Sequence, residues 1–545
     1  MNLRNNKLFN KKSDLFFYLI VAAYILYAAI FIFKTSFVVE GQRYFVLFDD
    51  AMISMRYAQN LASGNGLVWN AGGEHVEGFT NPLWVVFMAL FHIFPISAAK
   101  ISLCIQVSGM LFLVAALFFI RKIAESLTGS WLVALLAVTL TAFYSPINNW
   151  VLLGMEVSAL ILILCIALWI ALEGLRKNQF SPWLYVLLGI GTLVRIDMAV
   201  PYLVILFFLI LTDRPHRRQN VLWGGGLLII FMIGQTAFRW LYYGDILPNT
   251  YYLKMGGYPV LYRIIRGAYV LFQFAWDFNW LLFLFPLVVL VFRRERPVLL
   301  LFLVLLAQIA YSVYVGGDAW EHKGGSNRYF AIVMPVFFIL FAWAADLLRQ
   351  ALVSADFVRK DFINKVSQAG MVVFVLLSMV NMNYLNGDFR SLERWALLRQ
   401  PMFIEGNKED VQIALDLQAI TTPEASIGVV AAGAIPYFSE RFAIDLLGKS
   451  DVKIARMPAQ GSSDLRGIPD FRPGHMKWDY DYSIGELEPD VVVQLWGDTD
   501  EAQAYLEKYY TGGGAGSLNS AGDTLYYSLR SDSPNILWDR VLSMP

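Results

Sequence analysis

Leu15–Phe33, LFFYLIVAAYILYAAIFIF, is 19 consecutive residues without a charge, and its reading decides the fold. A straight helix needs about 20 apolar residues to cross roughly 30 Å of hydrocarbon. Arg4, Lys7, Lys11 and Lys12 precede the stretch, as in a signal peptide, but no small-residue cleavage site follows. It is read as an uncleaved first span. Further apolar runs lie at about 101–119, 127–144, 150–172, 183–194, 198–212, 221–241, 280–292, 297–315, 330–348 and 369–385. Composition agrees: 57% of the 545 residues are hydrophobic, 16% are charged and the mean hydropathy is +0.52. Soluble domains are about 45–50% apolar and about 25% charged. The expected fold is a polytopic α-helical membrane protein of about eleven transmembrane helices.

Charge separates two regions. From Asn386 onward there are 24 acidic and 14 basic residues, a net of −10, which leaves 19 acidic and 29 basic in the first 385. The formal total is +0, so no basic field points to nucleic acid. The sequence therefore predicts a membrane domain over 1–385 and an α/β domain over 386–545. Cys104 and Cys165 lie in apolar runs, which excludes a cysteine metal site, and five scattered histidines argue against one built on histidine.

The positive-inside rule orients the chain. With a cytoplasmic N-terminus, the inner loops carry Arg121 and Lys122; Arg176 and Lys177; Arg214, Arg217 and Arg218; Arg293, Arg294 and Arg296; and Arg349, Arg359, Lys360 and Lys365. The C-terminal region then lies outside. Residues 83–95 must not span, or this alternation breaks, so they are read as re-entrant or interfacial. The runs 183–194 and 198–212 can alternatively be one broken helix.

Three loops on the outer side, 34–82, 242–279 and 315–329, hold most of the remaining polar residues. In the first, Asp49 and Asp50 open MISMRYAQNLAS, where Met52, Met55 and Leu61 fit one helical stripe, read as an interfacial helix ended by Gly64 and Gly66. Asp50 suits the helix N-cap. Asp49 suits proton abstraction from a sugar hydroxyl, or the holding of a divalent cation. The second loop has Asn249, Tyr251, Tyr252 and Lys254 after Pro248. The third places Asp318, Glu321, His322, Lys323 and Arg328 close together. Arg328 can snorkel to a headgroup or clamp a phosphate, and Arg195 with Asp197 can neutralise each other. No P-loop, GxGxxG in strand–helix context or HExxH is present.

In the C-terminal region, DVQIALDLQAI reads as a helix, SIGVVAAGAIPYFS and PDVVVQLWG as buried strands, and TLYYSLR as a last strand. The loop 457–482 carries Arg466, Arg472, His475, Trp478, Tyr480 and Tyr482, aromatics that can stack on sugars or pack the loop down.

Phe48–Asn70 (FDDAMISMRYAQNLASGNGLVWN), VEGFTNPLW, YGDILPNTYYLK, NRYFAIVMP and GVVAAGAIPYFSERFAIDLLGKSD together resemble the GT-C glycosyltransferases, and more narrowly the β-(1→2)-arabinofuranosyltransferase family of the mycobacterial cell wall and its wider bacterial relatives. The resemblance implies an inverting glycosyltransferase in the bacterial cytoplasmic membrane. It would take a sugar, foremost D-arabinofuranose, from a polyprenyl-phosphate donor to a cell-envelope glycan, glycolipid or protein. By the same resemblance, Asp49 is the base and Asp50 assists, while Lys254 and Arg328, with Arg195 next, hold the donor phosphate. Arg56, Glu77, Asn81, Asn249, Tyr252 and Asp318 are the candidates to bind substrate. No cofactor is implied beyond that divalent cation. The alternatives are mannosyl or aminoarabinosyl transfer, and a lipid-linked glycan transporter or polymerase, though the charges gather at one interface and no internal repeat is evident.

Overall fold

A computed structural model describes residues 3–321, 327–353, 360–385, 388–460, 467–511, 517–518, 524–525 and 528–541. His322, Lys323, Arg359 and Arg466 lie outside the described residues.

The protein is a polytopic helical membrane protein. Among the described residues, seven helices are long and apolar enough to cross a bilayer: Lys11–Thr35, Ala98–Thr128, Val157–Lys177, Arg217–Tyr243, Arg296–Val315, Met334–Val353 and Phe362–Met382. Two more of the expected spans belong to bent pairs. Trp131–Ala142 and Ser145–Leu152 turn through 55°, and Val260–Asp277 and Trp280–Phe292 through 104°. The last two, 183–194 and 198–212, are short helices parted at Arg195, whose backbone is extended (φ −159°, ψ 131°). Among the described residues, seven of the eleven expected runs, or nine with the bent pairs, are thus long and apolar enough to cross. The other two form shorter helices because a run can match a bilayer in hydropathy while its helix stops short of about 30 Å.

The chain packs as two compact units, each assembled from separated segments. The first comprises Met1–Phe33, Val107–Ile233 and Ile264–Gln400. Its centre is Met334–Val353, buried from Met334 to Leu347 and packed on Trp131–Ala142 and on Lys360–Met382. Phe337, Phe338 and Phe341 are buried there to 1% exposure or less.

The second unit comprises Lys34–Gln106, Gly234–Arg263 and Pro401–Pro545. It joins two loop regions to the C-terminal chain, whereas the charge pattern reads as a linear division near 385. Its five-stranded sheet runs in the order Phe442–Asp445, Ser426–Val429, Val491–Val492, Ser528–Arg530, Tyr510–Thr511. The first three strands are parallel and the last two join antiparallel. Ile404–Ile420 is helical. The apolar stretch after Val429 is not one long strand: it leaves the sheet and forms the helix Ala434–Ser439. Pro436 fits there because the first turn of a helix has no partner for its N–H groups.

Two expectations about the first loop change. The N-cap of the Asp49–Ala62 helix is Phe48, not Asp50, so both aspartates stand in the first turn. The helix also exposes no broad polar face, since every residue from Ala51 to Ala58 is buried. It packs on the helix Pro82–His92 and on Ala434–Ser439, an interior position in its unit.

Candidate functional site: a carboxylate cluster around Lys449

Asp49 and Asp50 project from the first turn of a buried helix, where the aligned peptide dipoles favour negative charge. One oxygen of Asp49, Oδ1, accepts from the backbone N–H groups of Gly433 and Ala434, each at 3.0 Å. Among the described residues no hydrogen bond reaches Oδ2. Burial lifts the Asp49 carboxyl above its usual range, Lys449 and the Ala434 and Gly433 amides pull it back, and Asp50 adds to the rise. One oxygen is anchored and the other carries open lone pairs. That is the arrangement a general base requires.

Asp50 accepts from the Lys449 ammonium at 3.3 Å, with side chains 14% and 8% exposed. Asp445, at the end of its strand and 2% exposed, also faces Lys449. Its own oxygens accept from the N–H groups of Leu447 (3.0 Å) and Ser450 (2.7 Å), which fixes the turn after the strand. Burial opposes the charge on Lys449, but Asp50, Asp49 and Asp445 outweigh it and raise its pKa. Asn249 secures the turn further by donating from Nδ2 to the carbonyls of Gly448, Lys449 and Asp451 at 3.0, 3.1 and 3.0 Å. Its amide is spent on backbone rather than left for a substrate.

His475 and Lys254 border this cluster. Burial, then Lys449 and Lys254, push the His475 pKa down to about 3, with Asp50 opposing, so the ring is neutral. The stem of Lys254 runs beside Gly474, where φ is +86° and a Cβ would stand 3.2 Å from the lysine Cγ and Cε. Lys254 is thus a half-buried cation whose stem lies along bare backbone.

Other candidates in this unit have structural partners. Arg56 donates to the carbonyls of Trp69 (2.8 Å), Arg441 (2.8 Å) and Pro436 and to Asn70 Oδ1 (3.1 Å), so its fork ties the loop at 69–70 to the helix Ala434–Ser439 and the residues just after it. Glu77 accepts from Arg239 at 2.8 Å, and burial, offset by that arginine, puts its pKa at about 7. Asn81 accepts from Ser54 at 3.0 Å. Tyr252 donates to Asp245 at 2.7 Å beneath the Arg456 guanidinium. In the loop after residue 457, Trp478 and Tyr480 enter an apolar core with Ile444, Leu446, Ile484 and Val492. They are therefore not a sugar-stacking surface.

The remaining candidates lie in the first unit. Arg328 makes a buried pair with Asp318, 3.0 Å from Nε to Oδ2, and stands over the Trp150 ring. Arg195 grips Asp197 at 2.6 and 2.8 Å and Glu156 at 2.9 Å, so mutual neutralisation is the observed state. Among the described residues no group of three His, Cys, Asp or Glu side chains is placed to hold a metal ion. The positive charge among the carboxylates of the cluster is Lys449.

Lys449, Asp445 and the Gly433–Ala434 amides were not singled out as site residues from sequence. They lie within GVVAAGAIPYFSERFAIDLLGKSD, so the segment was marked while the roles were not.

Comparison with known proteins bears on this architecture. The crystal structure of ArnT from Cupriavidus metallidurans in the apo state superposes with a TM-score of 0.55, covering 94% of this chain and 97% of that one at 12% identity. ArnT from the same organism bound to undecaprenyl phosphate gives 0.50 over 78% and 85%, at 11% identity. The Archaeoglobus fulgidus oligosaccharyltransferase in the apo form gives 0.56 over 95% and 75%, also at 11%. The fold is shared with ArnT and with the oligosaccharyltransferase. Residues 82–240 match the family described as dolichyl-phosphate-mannose-protein mannosyltransferase, and 400–528 match a domain of unknown function, DUF8728. The terminal β-(1→2)-arabinofuranosyltransferase of Mycobacterium tuberculosis is 28% identical over 222 residues, 37% of this chain. The match covers about a third of that relative's length, 34%.

Proposed function

We propose that this GT-C protein is an inverting glycosyltransferase using a polyprenyl-phosphate sugar, with Asp49 as the base. The observation that carries the reading is the asymmetric binding of Asp49, one oxygen on two backbone amides and the other open. The acceptor hydroxyl gives its proton to Asp49 Oδ2 as its oxygen bonds to the anomeric carbon. The bond from that carbon to the phosphate oxygen breaks, and the phosphate leaves with the electron pair. Lys254, beside Gly474, meets the charge that builds on the phosphate. Arg328 and Arg195 are engaged with carboxylates in the first unit.

D-arabinofuranose is the sugar we favour, supported by the mycobacterial relative, and a cell-envelope glycan, glycolipid or protein is the acceptor. The ArnT complex with undecaprenyl phosphate supports a lipid-phosphate donor. We place the enzyme in a bacterial cytoplasmic membrane with the Asp49 cluster on its outer side.

The test is transfer from polyprenyl-phosphate sugars by purified protein. Asp49→Asn keeps size and polarity but cannot take the proton, so turnover should fall by at least ~10²-fold. Near-native turnover of Asp49→Asn would remove Asp49 from the chemistry.

A further inference from the structure

Adjacent carboxylates at one site raise the question of what makes them different. Asp49, Asp50 and Asp445 face a single buried cation, Lys449, which cannot neutralise all three. Each carboxylate finds a different partner. Asp445 is held by the amides of its own turn, Asp50 by the ammonium, and Asp49 by two amides on one oxygen only.

Lys449 has little freedom to choose otherwise. Gly448 turns the chain at φ +77°, where a Cβ would crowd Ile454 and the Ala455 amide. Asn249 then fixes the carbonyls on both sides of the lysine's Cα. The ammonium is thus delivered to Asp50 by a rigid turn rather than by a wandering side chain.

We propose that Lys449 is a positioning residue: by pairing with Asp50 it holds that carboxylate out of the reaction and leaves Asp49 as the one that removes the acceptor's proton. This rests on the glycosyltransferase reading above. The charge of Lys449 also favours the ionised form of Asp49, the form that can accept. The other groups facing the cluster do not substitute for it. Asp410, on the Ile404–Ile420 helix, holds its proton well above the usual carboxylate range through burial, then the charges of Asp49 and Glu409. His475 is neutral, and Lys254 faces it from the helix Asn249–Met255.

The experiment is the pH dependence of kcat/KM for full-length enzyme with Lys449→Met, Lys449→Arg and Lys449→Met/Asp50→Asn. Removing an opposite charge at this range should move the acid limb up by about 1–3 pH units. Lys449→Arg, keeping the charge, should leave the limb near its native position. The double variant removes one group that lowers the Asp49 pKa and one that raises it, so its limb should return toward native. A uniform loss of rate in Lys449→Met with the limb unmoved would overturn the proposal. If native enzyme transfers no sugar from any polyprenyl-phosphate donor, the glycosyltransferase reading fails instead, and the pairing is judged by thermal unfolding in detergent. Lys449→Met should then lower Tm more than the double variant does. Additive losses in Lys449→Met and Asp50→Asn would overturn the pairing itself.

Discussion

Asp49 and Gly433, 384 residues apart, are joined by a 3.0 Å hydrogen bond from the glycine amide to the aspartate Oδ1. Gly433 has no positive φ to require glycine; closeness requires it. A Cβ there would meet the Asp49 carbonyl oxygen, stand 2.6 Å from Oδ1 and 2.8 Å from the Met52 Cβ. Backbone must therefore move to admit an alanine. Gly433→Ala should reduce turnover by at least about tenfold by displacing the base, since misplacement of about 1 Å can cost ~10²-fold. Steady-state kinetics on folded variant checks it, and unchanged kcat would mean that the anchor is dispensable.

Arg328 and Asp318 are buried to 6% and 2% exposure and bound in a forked pair. Breaking one side of such a pair typically costs about 3–5 kcal/mol, because the other charge is left buried alone. Arg328→Met should accordingly lower Tm sharply, and Arg328→Met/Asp318→Leu should recover most of the loss. Differential scanning fluorimetry in detergent measures both. Lost activity with native Tm in the single variant would return Arg328 to the donor phosphate.

His475 makes stability sensitive to acid. An unfolded histidine titrates near 6.5, whereas folded His475 resists protonation until about pH 3. Below 6.5 the unfolded chain binds a proton that the folded chain refuses. The stabilising contribution is therefore complete above 6.5 and is lost as pH falls toward 3. Over the first ~1.5 pH units the loss is about 2 kcal/mol. His475→Gln should flatten the fall of Tm in that window; an unaltered slope would assign it to other groups.

The helical membrane class was legible because it depends on hydropathy summed over long runs, which neighbours cannot disguise. Span integrity was legible only in part: Arg195 and Asp197 mark the break between 183–194 and 198–212, but the Arg195 side chain is held by Glu156, 39 positions away, which no local pattern shows. The Asp49–Ala62 helix was legible as a helix, but its burial on all sides depends on partners that arrive from residues 82–92 and 434–439. Trp478 and Tyr480 were ambiguous for the same reason. An aromatic on a loop has no periodicity to reveal whether it meets a core or solvent. Asp49 stood out as a doublet beside a helix, while Lys449 is one cation in a polar turn and gains meaning only when Asp49 and Asp50, the latter 399 positions away, join its neighbour Asp445.

The orientation expected from charge is open to a direct test. The basic residues Arg121, Lys122, Arg176, Lys177, Arg217, Arg218, Arg293 and Arg294 stand at helix ends that the positive-inside rule assigns to the cytoplasm. A phosphatase or fluorescent reporter fused after Pro545 should behave as an outer-side protein. A fusion active only in the cytoplasm would move the Asp49 cluster to the side where a lipid-linked donor on the outer leaflet cannot reach it.

Lys254 closes the argument about the donor. Its helix, Asn249–Met255, begins after Pro248 and ends at Gly256, and Asn249 at its start secures the turn of Lys449. Lys254, the cation proposed to meet the phosphate, and Lys449, the charge partner of Asp50, are thus tied to one short element. A sugar–phosphate ester carries one negative charge and gains a second as the sugar leaves. A cation at that position interacts more strongly with the transition state than with the bound donor. Lys254→Ala should therefore lower kcat by more than it raises the donor KM. Lys254→Arg should recover part of the rate, because charge matters more than shape for a point cation. The measurement is initial rate over a range of short-chain polyprenyl-phosphate sugar. A rise in KM at constant kcat would make Lys254 a ground-state binding residue, and no change in either constant would place the phosphate elsewhere.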